Sequence, residues 1–165
     1  IEYLHTMLQR IQTIYLLIAA ILCIVVYFLP FSELVPSDGV SASMSLYADG
    51  VHITGQSEND SEIEVNYIPL IFNLLIFGAV IYIIFLYRNR PAQIRLCMMT
   101  LLICCSYLVV IFYFSDKLTI DSDQGAVVRY LPGTYIVALQ AFLILLAQRS
   151  IRKDEQLVRA ADRIR

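Results

Sequence analysis

Four long apolar segments that contain no charged side chain constrain the fold of this chain more than any other feature. They cover residues 11–31, 68–87, 96–114 and 131–148. The first segment has about 21 residues, and as an α-helix rising about 1.5 Å per residue it would extend roughly 30 Å, the thickness of a bilayer's hydrocarbon core. The pattern therefore predicts a single four-span membrane domain over residues 1–165, with no room for a separate catalytic domain.

The composition of the whole chain supports this prediction. Hydrophobic residues make up 59% of the sequence and charged residues 16%, whereas soluble domains carry about 25% charged residues. The mean hydropathy is +0.70. This is the composition of a membrane protein.

The basic residues are concentrated on one side of the predicted membrane. Ten of the twelve Lys and Arg residues precede the first span, lie between the second and third, or follow the fourth. The opposite loops, 32–67 and 115–130, contain only Lys117 and Arg129 but ten acidic residues. Because basic residues are enriched on the cytoplasmic side of membrane proteins, we expect both termini and the tail, 149–165, to be cytoplasmic.

The two outer loops carry patterns that are typical of short β-strands. In "SMSLYADGVHITG" apolar residues alternate around Asp49-Gly50, a dipeptide suited to a tight hairpin turn. "EIEVNY" alternates in the same way before the second span, and "KLTI" and "AVVRY" flank "DSDQG" as a second predicted hairpin. The alternative is two disordered polar loops, since Ser57 to Glu62 has a linker-like composition.

The charged tail has the periodicity of an amphipathic helix. One arc is polar and the other contains Leu157, Val158, Ala160, Ala161 and Ile164, interrupted by Lys153, Asp154 and Arg165. Three placements stay open: docking on the protein's own inner loop or on the bilayer surface, docking on another protein, and a free tail. The residues predicted to contact lipid or a partner are Arg88, Arg90, Arg95, Arg152, Arg159, Arg163, Leu157 and Ile164.

The resulting fold prediction is an all-α transmembrane four-helix bundle with a small extracytoplasmic β-sheet cap and a cytoplasmic amphipathic C-terminal helix. Inside the spans the strongest polar side chains are Asn73 and Gln140, which are expected to hydrogen-bond between helices or, alternatively, to line a substrate path. No ionisable Asp, Glu, Lys, Arg or His lies within a span, which argues against proton-coupled carriers and intramembrane proteases. The four cysteines are expected to be packing thiols, and we predict no cofactor, metal site or catalytic residue.

Three motifs resemble a known family. "QRIQTIYLLIAAIL", "YRNRPAQIRLC" and "IRKDEQLVRAADRIR" together are similar to an uncharacterised family of small four-span bacterial inner-membrane proteins that carries a domain-of-unknown-function label. The likeness extends from Met7 to Arg165, and "KDEQLVRAADRIR" is its most specific part. It implies four helices in the cytoplasmic membrane of a Gram-negative bacterium, and it supplies no activity or ligand.

Two functional hypotheses follow from these observations. The first is a non-enzymatic accessory or scaffolding subunit of a membrane complex, which contacts membrane lipids and another membrane protein or its own copies, and no nucleic acid. The second is an oligomeric small transporter or lipid-binding module, in which Asn73 and Gln140 face a path. An enzyme would need reactive groups clustered at a membrane interface, and no cluster there has convincing spacing.

Overall fold

The computed structural model describes residues 2–35, 43–54, 61–87, 89–121 and 127–162. Within these ranges the chain forms helices and short strands. In chain order they are α1 (Glu2–Tyr27), β1 (Ser32–Val35), β2 (Ser43–Leu46), β3 (Gly50–Thr54), β4 (Ser61–Val65), α2 (Tyr67–Phe85), α3 (Arg90–Asp121), β5 (Val127–Tyr130) and α4 (Pro132–Asp162).

The four helices pack in a ring, in which each helix contacts its two neighbours and α4 closes the ring by packing on α1. Fully buried side chains fill the interior, and large apolar side chains also cover the outside of every helix. On α2, for example, Leu74 and Phe85 are mostly exposed. A helix that is apolar all round is typical of a membrane span or of the core of a large protein.

Within the described part of the chain, three helical segments are long and apolar enough to cross a membrane: Tyr67–Phe85, Arg90–Thr119 and Pro132–Leu157. They correspond to the second, third and fourth predicted spans. In α1 the apolar stretch with described side chains is shorter, Gln12–Tyr27. A spanning helix needs about 20 apolar residues, so the first span stays a prediction.

The helices do not begin and end at the same residues as the predicted spans. Helix α1 ends at Tyr27 rather than near Phe31, because a proline at position 30 disfavours helical geometry in the residue before it. Helix α3 begins at Arg90, so most of the predicted inner loop, the segment 88–95 between the second and third spans, is helical. Asn89 caps α3 by accepting a hydrogen bond from the Ala92 N–H. Helix α4 continues without interruption into the predicted tail.

The predicted second hairpin was also wrong. Residues 117–120, the "KLTI" segment, belong to the last turns of α3. Adding residues to an existing helix gains one backbone hydrogen bond each without a new nucleation step, which favours helix over a separate short strand. The "AVVRY" segment does form a strand, β5, but its partner is the distant β1, with Ser32 opposite Tyr130.

The predicted sheet forms from five antiparallel strands in the order β4-β3-β2-β1-β5. The first hairpin is confirmed: Leu46 pairs with Val51, and Gly50 has a φ of 152°. The predicted strand before the second span is confirmed as β4. Leu34 and Leu46 are buried on one face of the sheet, while the other carries a polar row of Glu33, Ser45, His52 and Arg129, set side by side by the strand register.

A network of hydrogen bonds around Phe31 joins the sheet to the helices. The Phe31 N–H donates to the Leu46 carbonyl oxygen at 2.7 Å, and the Phe31 carbonyl accepts from the Leu131 N–H at 2.9 Å and the Thr134 hydroxyl at 2.8 Å. Beside it, the Gly133 N–H donates to the Pro30 carbonyl oxygen at 3.1 Å. The sheet is therefore held against the end of α1 and the start of α4.

Candidate functional site

Asn73 of α2 and Gln140 of α4 both contact Cys23 of α1. The Asn73 Nδ2 donates to the Cys23 carbonyl oxygen at 3.1 Å, and the Gln140 Nε2 contacts the Cys23 Sγ at 3.3 Å. Gln140 is fully buried and Asn73 is only 6% exposed. The two amides that stood out in the sequence thus join three helices at one level of the bundle.

Each of these amides keeps an oxygen without a hydrogen-bond partner among the described residues, as does the hydroxyl of the buried Tyr107. The orientation of Asn73 follows from chemistry, because a carbonyl oxygen only accepts hydrogen bonds and the amide nitrogen must therefore face Cys23. Its Oδ1 is then the unsatisfied atom. A buried polar group without a partner costs about 1–3 kcal/mol, so Asn73 has a capacity for a further hydrogen bond.

A groove between α1 and α2 borders Asn73 and has a volume of about 290 Å³. We call it the α1–α2 groove. Its mouth is on the outside of the bundle, where Phe28 is 70% exposed and Leu74 is 68% exposed. The residues that line it are Cys23, Ile24, Tyr27, Phe28, Leu70, Asn73, Leu74 and Phe77.

At the opposite end of the bundle from the sheet, Arg90 of α3 lies beside Asp154 of α4. The Arg90 Nη1 and the Asp154 Oδ2 are 3.2 Å apart, close enough for an ion pair although the contact does not have the angles of an aligned hydrogen bond. Asp154 is only 2% exposed. The sequence had placed Arg90 at a lipid or partner surface and had treated Asp154 as an interruption of the tail's apolar arc; the structure instead pairs them.

The inward face of α4 explains this burial. Ile144, Ala147, Ile151 and Asp154 are all buried and follow one another at the three- and four-residue spacing of one helix face. Because α4 is continuous, the face that packs in the span continues into the tail. Leu157, from the predicted apolar arc, is 53% exposed.

A small polar pocket of about 170 Å³ adjoins the ion pair. Gln93 belongs to its wall and donates through its Nε2 to the Ile83 carbonyl oxygen at 3.2 Å, which ties α3 to the end of α2. The Gln12 Nε2 is buried and has no hydrogen-bond partner among the described residues. The lining residues are Gln12, Thr13, Ile84, Tyr87, Arg90 and Gln93.

Of the remaining predicted contact residues, the structure describes the side chains of Arg95 and Arg152. Arg95 and Arg152 are exposed on α3 and α4. Arg159 lies in α4, but its side chain is outside the described part, as are Arg88, Arg163 and Ile164.

Sequence reasoning missed several buried polar side chains, namely Gln12, Gln93, Thr134 and Asp154. Gln12 and Gln93 could have been found as amides at the ends of apolar segments. The burial of Asp154 had no local signal. Three cysteines, Cys23, Cys97 and Cys104, are buried and Cys105 is exposed, and the described residues include no group of three His, Cys, Asp or Glu side chains that could hold a metal ion.

The chain belongs to the family described as domain of unknown function (DUF4293), whose model matches residues 8–164. The resemblance predicted from the three sequence motifs is therefore confirmed at the level of the family. No curated protein matches the sequence.

Proposed function

We propose that this member of a family with no assigned function is an integral membrane protein that acts as a non-enzymatic accessory or scaffolding subunit of a membrane complex. In this proposal all four helices span a bacterial inner membrane. The Arg90–Asp154 end and both termini lie in the cytoplasm, and the sheet lies on the opposite side. The excess of basic residues at the Arg90–Asp154 end supports this orientation.

The outer surface of the bundle supports the membrane placement. Soluble monomers rarely expose continuous apolar patches of more than a few hundred Å². Here large apolar side chains are exposed along all four helices, including Ile21 on α1, Leu75 on α2, Leu102 on α3 and Leu139 on α4. Lipid hydrocarbon is the environment in which such a surface carries no hydrophobic cost.

The single observation that carries the structural role is that buried polar side chains connect neighbouring helices. Asn73 and Gln140 contact α1, Gln93 contacts the end of α2, and Arg90 contacts α4. These groups hold the bundle together, and fully buried side chains such as Tyr107 fill its interior. A filled ring favours a rigid structural unit over a solute path through one copy of the chain.

Two exposed surfaces are the proposed contact sites for a partner or a second copy. One is the outer face of the sheet, where Glu33, Ser45, His52 and Arg129 form a mixed polar row. The other is the far end of α4, where Leu157 is exposed beyond the buried Asp154.

Native mass spectrometry of the protein, extracted in mild detergent from its own membrane, tests the proposal. We expect a defined complex with another membrane protein or with further copies of the chain. Leu157→Asp should weaken that complex, whereas Gln156→Asp, at the neighbouring exposed position, should leave it intact. A monomer that carries only lipid in every preparation would contradict the accessory role.

A further inference from the structure

We propose that the α1–α2 groove binds an uncharged lipid alcohol, whose hydroxyl group donates a hydrogen bond to the Oδ1 of Asn73. This inference rests on the proposed membrane placement, because the groove opens on the apolar outside of the bundle. It goes beyond the scaffolding role by assigning a ligand class to a particular site.

The chemistry of Asn73 specifies what the ligand must offer. Its Nδ2 is engaged by the Cys23 carbonyl, and its Oδ1 is a buried acceptor without a partner among the described residues. The terminal torsion of an Asn side chain is broad, so a small rotation of the whole amide can turn the buried Oδ1 toward the groove and keep the Nδ2 within reach of the Cys23 carbonyl. An acceptor needs a donor, which a hydroxyl group supplies and an ester or ether oxygen does not.

The lining of the groove specifies that the ligand is uncharged. Every residue that lines it is neutral, and most are hydrocarbon or aromatic, such as Ile24, Phe28 and Phe77. A phosphate or ammonium group there would lose its hydration without gaining an opposite charge, which is costly in an apolar environment. Phospholipid headgroups are therefore excluded from the groove, while an alcohol on a hydrocarbon body fits it.

The position and size of the groove agree with a membrane lipid. Asn73 follows Tyr67, the first residue of α2, by six positions, which is roughly 9 Å along the helix from its sheet-side end. The hydroxyl would then lie just below the headgroup layer, with hydrocarbon extending toward Phe77. A volume of about 290 Å³ is near the lower limit of small-molecule pockets, about 300 Å³, and suits the head and upper chain of a lipid.

Tryptophan fluorescence gives a direct test, because the chain contains no tryptophan. Phe77→Trp places one reporter in the groove, and Phe142→Trp places another on the exposed surface of α4 as a control. Both variants are reconstituted in phosphatidylcholine vesicles and titrated with dioleoylglycerol brominated on its acyl chains, or with the same lipid methylated at its hydroxyl.

For Phe77→Trp we expect half-maximal quenching at a roughly two- to tenfold lower mole fraction of the free alcohol than of the methyl ether, the ratio that one neutral hydrogen bond supplies. For Phe142→Trp the two lipids should quench equally. Adding Asn73→Leu to Phe77→Trp should remove the preference. Adding Gln140→Leu should keep it, because Gln140 also contacts Cys23 but does not line the groove.

Equal quenching by the alcohol and the ether in Phe77→Trp, or a preference that survives Asn73→Leu, would overturn the proposed site. Brominated phosphatidylcholine separates this failure from a failure of the membrane placement, since it should quench both tryptophans in any membrane-embedded form and would quench neither if the placement were wrong. Native mass spectrometry of the unchanged chain with dioleoylglycerol and its methyl ether provides the same comparison without a substitution: retention of the alcohol alone supports the site, and equal retention contradicts it.

Discussion

The Oδ2 of Asp154, more than twenty residues into α4, lies 3.2 Å from the Nη1 of Arg90, the first residue of α3. This contact fixes the continuation of α4 against the end of the bundle that carries most of the basic residues. It also determines how the protein's C-terminal segment should respond to substitution.

Asp154→Asn should destabilise the protein, because it removes a negative charge that lies 3.2 Å from a largely buried guanidinium group. Breaking a fully buried pair costs about 3–5 kcal/mol; Arg90 retains partial contact with water, so we expect about 1–3 kcal/mol. Thermal unfolding in detergent measures the change. Arg152→Gln, on an exposed part of the same helix, is the control and should have little effect. The double change Arg90→Met with Asp154→Leu should recover most of the loss, since apolar replacements of a buried pair are often neutral.

Gly133→Ala should disrupt the connection between the sheet and α4. A Cβ at this position would lie 2.5 Å from the Pro30 carbonyl oxygen, so the backbone would have to shift. Such overpacking costs about 1–3 kcal/mol, which should appear as a lower midpoint of thermal unfolding. Gly78→Ala provides a matched control, because nothing lies within 4 Å of the added methyl group. Equal midpoints for the two variants would contradict the close approach.

Ser115→Ala should lower the free energy of unfolding more than Ser106→Ala does. Both hydroxyls donate to the backbone carbonyl four residues earlier, at 2.8 Å for Ser115 and 3.0 Å for Ser106. Ser115 alone also contacts the buried Ser32 hydroxyl at 2.8 Å, which links α3 to β1. The extra contact predicts an additional loss of about 1 kcal/mol, and a double-mutant cycle with Ser32→Ala would assign that loss to the pair. Additive effects in the cycle would show that the two hydroxyls do not interact.

The proposed orientation predicts which new cysteines react from outside the cell. In a background with Cys105→Ala, His52→Cys on the outer face of the sheet should react with a membrane-impermeant maleimide in intact cells. Gln156→Cys on α4 should react only after the cells are permeabilised. The reverse pattern would show that the proposed orientation is inverted. Reaction at both sites in intact cells would contradict the proposal that α4 spans the membrane.

The local elements could be predicted from short stretches of sequence. Uniformly apolar segments predicted the helices, and alternation around Asp49-Gly50 predicted the hairpin whose Gly50 has a positive φ. The helix ends were less predictable, because Lys117 to Ile120 is compatible with either structure and the existing helix α3 decided the outcome.

The candidate site was only partly visible. Asn73 and Gln140 stood out because amides are rare in such apolar surroundings, but their common contact with Cys23 required the relative rotation and height of three helices. The α1–α2 groove depends on the same variables. Neither the common contact with Cys23 nor the groove can be predicted from the spacing of residues along one segment.

The sequence by itself determined that this chain forms long apolar helices with a β-hairpin between two of them, since these properties depend on neighbouring residues and on the period of the pattern. The tertiary structure decided that β5 pairs with β1, that Asp154 is buried beside Arg90, and that Asn73 borders an open groove. These contacts join residues far apart in the chain. They are selected by how whole helices and strands pack together, and helices that are apolar on every side carry little information about which face will turn inward.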